Sequence, residues 1–395
     1  MITPSFALDF TSASLDPRVT FARSGDTATV VNSSGSVVAI NADLPRFDYD
    51  PITLACRGLL VEESRINRYL WSEDLTQGTG WQNSGTTVSS NSTLSPSGVL
   101  SADKATATTT GSFIAGIFNS GTIGVVYTTS VFLKNVDSTQ TRLLVRVGAS
   151  AVDAYVNWSG ATISSITNNV GTFTATSYGN GWYRLSATYT ALEASQLTRI
   201  YPDPVSGTKA VYIWGSQMEV GVGATSYKAT TTTAVTRNAD VATITGTNFS
   251  DWWQATRGGV LVRARPGSVS GTRPWVQFDD NTADNIIALR GNTTNPELYI
   301  VDGGTPQAQI DAGTIAANTD YSMTAWWQTN DCKARLNNGA VVTDTTATIP
   351  TVTQARLGSD GTNYLNGHLV SINYYDTFSG QIYTRRKNKA VFSLL

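Results

Sequence analysis

Short runs of β-branched and aromatic residues, cut every few positions by Gly, Ser, Thr or Asn and never showing a helical period, dictate what this chain can fold into. In Trp182-Tyr183-Arg184-Leu185-Ser186-Ala187-Thr188-Tyr189 the odd and even positions differ in character, as in a strand with one face in a core. Residues 125–134, 142–147, 154–158 and 210–218 read the same way, and beyond residue 240 so do 259–265, 275–279, 286–290, 297–301, 320–329, 332–336, 354–357 and 368–375. Regular short strands of this kind predict an all-β fold of antiparallel sandwiches or jelly rolls. The only helix the pattern allows is a short one near the C-terminus.

With 395 residues the chain is too long for one sandwich and suits two or three domains. Residues 69–240 are expected to form a sandwich or jelly roll and 241–395 a second sandwich, which the resemblance given below implies is lectin-like. The two are separated by the Thr-rich stretch 230–235, with the boundary near 237–240. Residues 1–68 are irregular, with short strand candidates at 28–31 and 37–40, and read as an arm or small β-element that docks on something larger and orders only on docking.

Charged residues make up 14% of the chain and the net charge is −2, so Ser, Thr, Asn and Gly supply the surface polarity. Neither nucleic-acid binding nor membrane insertion is expected from that balance. The one basic cluster, Arg385, Arg386, Lys387 and Lys389, reads as a solvated tail or a contact to an acidic surface. Cys56 and Cys332 are the only cysteines and lie far apart, which argues against a disulfide framework and for synthesis in a reducing cytoplasm. The stretch MITPSFALDF has neither the basic nor the apolar region of a secretion signal.

Three stretches carry a resemblance. The first is Leu8-Asp9-Phe10, Asp16-Pro17-Arg18-Val19-Thr20-Phe21-Ala22-Arg23, Pro45-Arg46-Phe47-Asp48-Tyr49-Asp50-Pro51, Gly58-Leu59-Leu60-Val61-Glu62-Glu63 and Arg65-Ile66-Asn67. The second is Gly181-Trp182-Tyr183-Arg184-Leu185, Tyr212-Ile213-Trp214-Gly215-Ser216-Gln217-Met218-Glu219, Ala224-Thr225-Ser226-Tyr227 and Thr236-Arg237-Asn238-Ala239-Asp240. The third is Arg356-Leu357-Gly358, Tyr364-Leu365-Asn366-Gly367-His368-Leu369 and Tyr374-Tyr375-Asp376.

Together they resemble virion proteins of tailed phages: an N-terminal attachment pattern, a carbohydrate-binding-module-like jelly roll and the closing strands of a concanavalin A-like or laminin-G-like domain. The resemblance implies a tail- or fibre-type adhesin, without catalytic residues, that joins other virion proteins through its arm (Arg46, Phe47, Asp48, Tyr49, Asp50, Glu62 and Glu63). It implies a homo-oligomer, above all a trimer, that meets a host-surface glycan. A capsid decoration, collar or head-fibre protein with purely structural sandwiches is the alternative, and a polysaccharide hydrolase a third.

The residues themselves say little of catalysis. His368 is the only histidine, so imidazole chemistry has a single candidate, more simply read as structural. Glu62-Glu63 and Asp279-Asp280 could supply two carboxylates for glycoside cleavage, but neighbours on a strand point to opposite faces. Asp279, Asp280 and Asp284 could ligate Ca²⁺, or simply build an Asp/Asn-rich turn. Sugar recognition would rest on exposed aromatic faces with amide and acid partners, for which Trp253, Trp275, Trp327, Asp279 and Asn281 are the candidates. Alternation within a strand should leave one tryptophan of Trp252-Trp253 and one of Trp326-Trp327 facing out, as a sugar platform, a subunit contact or a lid on the sandwich.

Overall fold

Between Trp81 and Val220 the chain passes back and forth between two facing sheets of six antiparallel strands, the connectivity of a jelly roll. The first runs Thr172–Gly179, Trp182–Thr190, Val126–Asn135, Ala210–Val220, Leu100–Ala107 and Thr86–Leu94. The second runs Thr162–Val170, Ser150–Ser159, Gln140–Val147, Gln196–Tyr201, Phe113–Phe118 and Trp81–Ser84. Period-two patterning explains why they pack: Val131, Leu133, Leu185 and Ala187 of the first sheet meet Leu143, Val145, Val156 and Ile200 of the second. Gly215 permits a bulge where Val126–Asn135 pairs with Ala210–Val220, since its φ is +61° and a Cβ would press on the Phe132 ring.

The second sandwich sets an eight-stranded sheet against a seven-stranded one. The computed structural model describes residues 3–147 and 150–377, so the expected C-terminal helix and the basic cluster lie outside the described residues. Within them helix is confined to a 3-10 turn, Phe10–Ser12, and to Thr247–Ser250. The all-β, two-sandwich expectation therefore holds.

The arm does not. Strand Phe6–Asp9 pairs with one end of Gly367–Tyr375, and Cys56–Val61 pairs with the other end of that strand. Phe47–Tyr49 extends the same sheet, while Thr20–Ala22 forms an edge of the opposite sheet against Val241–Thr245. Phe6, Leu8, Phe10, Leu59 and Val61 enter the same core as Trp275, Phe278 and Ile372. The N-terminal segment is thus part of the C-terminal sandwich, which is assembled from both ends of the chain. Phe6–Asp9, Thr20–Ala22 and Cys56–Val61 look irregular in sequence because each is only a few residues long and has a pairing partner more than 200 positions away.

The remaining hairpin, Ala28–Val31 with Val37–Ile40, leans the other way. Val37 packs with Phe132, Trp182, Trp214 and Tyr227 of the jelly roll, and the Thr29 hydroxyl donates to the Tyr227 carbonyl at 2.5 Å. One glycine of the Gly58-Leu59-Leu60-Val61 run is explained here: Gly58 has φ +107°, and any Cβ would collide with the Leu369 carbonyl across the strand pair.

A chain beginning at Tyr69 loses six buried side chains of that core, Phe6, Leu8, Phe10, Val19, Leu59 and Val61, and truncating a large core side chain costs about 2–5 kcal/mol. Calorimetry of that fragment should show no cooperative melting of the C-terminal sandwich. A normal two-transition profile would mean that the segment is dispensable after all.

Candidate functional site

The outward face of the first jelly-roll sheet is hydroxyl-lined because its inward positions are apolar. In Thr172-Phe173-Thr174-Ala175-Thr176 the threonines are exposed while Phe173 and Ala175 pack on the core. Strand register aligns these hydroxyls in rows: Thr172 with Thr188 and Thr128, Thr174 with Ser186 and Ser130, and Thr176 with Arg184 and Phe132. The Thr128 and Thr188 hydroxyls are 2.8 Å apart, and those of Thr174 and Ser186 2.7 Å. Beyond the third row Tyr178 stands edge-on to Phe132 with ring centroids 4.9 Å apart.

The C-terminal sandwich closes over this face and leaves a cleft of about 830 Å³. Its far wall is made by Arg265, residues 267–270, Ala317, Asn318 and 366–368, and its end by Asp48, Arg57 and the 29–31 strand. Arg265 sits opposite His368 in the sheet, and His368 opposite Leu60. The His368 ring is fixed: its Nε2 lies 2.8 Å from Asp48 Oδ2, while Asp48 Oδ1 accepts the Val31 N–H at 2.7 Å.

At the base of the cleft the two sandwiches are tied by a buried ionic hub. Arg46 donates through Nε to Asp240 Oδ1 at 3.1 Å, through Nη2 to Asp240 Oδ2, and through Nη1 to the Ser226 hydroxyl at 2.7 Å, and it pairs with Glu62 at 2.8 Å. Arg23 reaches Asp240 at 3.1 Å and Arg237 reaches Glu62 at 3.6 Å. Glu62 also accepts the Ser226 N–H at 2.9 Å and the Ser226 hydroxyl at 2.6 Å, and its own N–H donates to Asp240 at 2.9 Å.

Three guanidinium groups meeting two carboxylates leave surplus positive charge, which backbone carbonyls absorb: Asn41 takes Arg23 at 2.6 Å, Thr29 takes Arg46 at 3.1 Å and Glu63 takes Arg237 at 2.6 Å. Burial alone would raise the Glu62 pKa, but the Arg237 and Arg46 charges and the Ser226 hydroxyl outweigh it and hold the carboxyl well below the usual range. The Arg46 guanidinium is likewise held protonated: Asp240 and Glu62 override the cost of its burial.

The residues expected to form an attachment surface are therefore largely internal. Arg46 has no exposed surface, Asp48 and Glu62 are buried, and Phe47 packs against the sandwich core. Tyr49 faces Cys56 across the strand pair. Asp50 caps its own turn through the Ile52 and Thr53 N–H groups, at 2.8 Å each, and pairs with Arg57 at 2.7 Å. Burial opposes ionisation there, yet those N–H groups and Arg57 bring its pKa down to about 2. Glu63 accepts Arg65 at 2.5 Å and Arg273 at 3.7 Å.

The expected sugar platform is not assembled either. Trp275 and Trp327 are fully buried, and Trp326 is buried as well, so the outward member of that pair is not displayed. Trp252 and Trp253 follow the Thr247–Ser250 turn rather than lying in a strand, which voids the alternation argument. Trp253 instead packs among Phe249, Phe278 and Tyr374 at 4.7–5.1 Å.

Asp279 is buried and saturated by Gln277, Arg356, Gln354 and the Asn281 N–H, while Asn281 accepts Arg356 at 2.6 Å. Asp280 caps its turn through Thr282 and Asn285, and the Asp284 carbonyl accepts the Gly304 N–H. The three acids proposed for Ca²⁺ thus serve as turn and strand anchors, and no group of three metal-ligating side chains occurs among the described residues.

No protein-family model and no curated protein matches the chain. Among solved structures, the CBM22-1–CBM22-2 tandem of Paenibacillus barcinonensis Xyn10C aligns with 80% of this chain and 97% of its own, at 9% identity and TM-score 0.27. Domains LG4-5 of the mouse laminin α1 chain align over 65% and 84%, at 7% identity and TM-score 0.24. The CBM22-1–GH10 modules of Clostridium thermocellum xylanase 10B, complexed with xylohexaose, align over 42% of this chain at 15% identity and TM-score 0.28. The chain spans only 30% of that structure's length. With overlaps this loose, the fold assignment rests on the sheets described above.

Removing one partner of a buried ion pair costs about 3–5 kcal/mol. Arg46→Ala should lower stability by that order in urea denaturation at neutral pH. Because the folded-state pKa of Glu62 is depressed, its stabilisation is complete above the ordinary glutamate value of 4.5 and is lost as pH falls towards the folded-state value. Glu62→Gln should therefore be less stable than the parent at pH 7 and decline less steeply between about pH 5 and 3; parallel curves would show that Glu62 is not held ionised by the hub.

Proposed function

We propose that this chain is a non-enzymatic virion protein, a tail- or fibre-associated adhesin that recognises host-surface glycans in the cleft between its two sandwiches. The observation that carries the reading is the hydroxyl-lined sheet face. Rows of Thr and Ser side chains, spaced by the inter-strand distance of about 4.8 Å, face a cleft of about 830 Å³ that ends at Tyr178. That spacing is comparable to a pyranose ring, and the volume falls within the range of ligand sites. Hydroxyl groups both donate and accept, which suits a polyol.

Absence of chemistry is supported by the state of the two carboxylates that line the cleft. Asp48 is consumed by His368 and Val31, and Glu62 by Ser226 and arginine, so neither is placed to activate water or protonate a leaving group. The virion assignment is supported by the resemblance of the N-terminal pattern, although its buried residues now account for that pattern as a folding element. Attachment to other virion proteins, assembly as a homotrimer and an exterior location on the particle belong to the same proposal, with avidity from several sites compensating weak single contacts.

One observation favours the structural alternative. Ile52, Leu54, Leu94, Val99 and Leu100 are exposed, and the loops that carry them converge: the Val37 N–H donates to the Pro96 carbonyl, and Leu54 lies against Gly35. An apolar rim of this kind suits a subunit contact.

Glycan-array binding by the full chain, compared with a Thr174→Val, Thr176→Val double variant, separates the two readings. Both positions are exposed, so the variant should keep its melting temperature and lose roughly tenfold in affinity, as expected for two hydrogen bonds. Failure of the intact oligomer to bind any surface glycan would leave the sandwiches as spacers.

A further inference from the structure

Resting on the cleft as the glycan site, we propose that its ligand is an anionic glycan, one whose carboxylate, sulfate or phosphate groups are read by guanidinium groups converging on the cleft from three separate elements. Arg57 comes from strand Cys56–Val61 of the N-terminal segment, Arg184 from Trp182–Thr190 of the jelly roll and Arg265 from Arg257–Arg265 of the C-terminal sandwich. All three line the cleft.

The sign of the ligand follows from which charges are already spent. Each carboxylate on the cleft wall has both oxygens occupied: Asp48 by Val31 and His368, and Glu62 by Ser226 and Arg46. The arginines are not spent. Arg57 makes one ion pair, through Nη2 to Asp50 at 2.7 Å, and Arg265 makes one loose pair, through Nη1 to Asp320 at 3.4 Å. Neither aspartate lines the cleft.

Arg184 is the most telling. It is 8% exposed and has no carboxylate partner among the described residues. Nη1 donates to the Thr225 carbonyl at 2.7 Å, Nη2 donates to the Ser130 hydroxyl at 2.9 Å, and Nε has no partner. A buried guanidinium held only by neutral acceptors creates positive potential at the floor of the cleft, where low dielectric strengthens it. Hydroxyl rows would orient the sugar rings while the guanidinium forks select those that carry an anion, since a fork matches planar and tetrahedral oxyanions in a way a hydroxyl cannot.

The test uses the full chain and a panel of bacterial surface oligosaccharides. Each is presented in native form and with its anion removed: carboxyl-reduced for uronic-acid types, desulfated or dephosphorylated for the others. Binding confined to native acidic members, falling at least tenfold in the neutralised partner and weakening between 20 and 300 mM NaCl by about the same order, is the expected result. In the Arg57→Gln, Arg265→Gln double variant, which alters two partly exposed side chains, acidic binding should drop to the level of the neutralised glycans.

The class of oligosaccharide that responds identifies whether carboxylate, sulfate or phosphate is read. Equal binding of native and neutralised forms would overturn the anionic ligand and leave the cleft reading standing. Binding of no member in either form would remove the cleft reading, and this inference with it.

Discussion

The way the two sandwiches meet depends first on the buried ion pairs that Arg46 makes with Asp240 and Glu62. Arg46 and Glu62 come from the N-terminal segment, Asp240 from the junction that leads into the C-terminal sandwich, and Ser226, which bonds both Arg46 and Glu62, from the loop leaving the jelly roll. A buried cluster of this kind is poor at adding net stability, because each charge gives up its hydration. What it supplies is geometry: a planar guanidinium satisfied at every nitrogen accepts few alternative placements of its partners. Arg23 and Lys228 reinforce the same joint, the latter holding Asp26 at 2.5 Å. The two sandwiches therefore meet in a defined arrangement, and the cleft is the space which that arrangement leaves.

This explains why the N-terminal pattern combines apolar and ionic residues so densely. In Gly58-Leu59-Leu60-Val61-Glu62-Glu63 the chain first completes the core of the C-terminal sandwich with Leu59 and Val61, then turns the Glu62 side chain into the hub. Two jobs that usually fall to separate regions are done by six consecutive positions. A surface that binds another protein would present such residues to solvent; here Leu59, Leu60, Val61 and Glu62 are withdrawn from it.

The parts of the fold that were legible in sequence are those whose information is local. Trp182–Thr190 and Gln354–Leu357 announce themselves by alternation, and the structure places strands over those residues. Phe6–Asp9 and Thr20–Ala22 are too short to alternate convincingly, and only the register Phe6 to Tyr374, or Thr20 to Thr243, reveals what they are. The tryptophan pairs misled for a different reason. Adjacent large aromatics suggest one face in and one face out, yet Trp252-Trp253 occupy a turn whose two side chains both fold inward. The cleft left one local trace, the alternating threonines at 172, 174 and 176. Its far wall, built from Arg265 and His368, could not be foreseen without knowing how the sandwiches dock.

Selection of a glycan by this architecture would differ in kind from stacking on an exposed indole. An aromatic platform reads the apolar face of a sugar and tolerates many rings, because every pyranose presents C–H groups. A floor of fixed hydroxyls with guanidinium groups at its margins reads hydrogen-bond polarity and charge, and mismatch there is costly because a buried donor is left unpaired. Aromatic side chains buried in the cores, among them Trp158, Trp214, Trp275 and Trp327, then serve to hold the sheets together. Tyr178, edge-on to Phe132 at the end of the rows, stands at the boundary between those two roles. Specificity would accordingly reside in the relative placement of three elements joined at the hub, so that a change at Arg46 or Asp240 could alter recognition without touching the ligand.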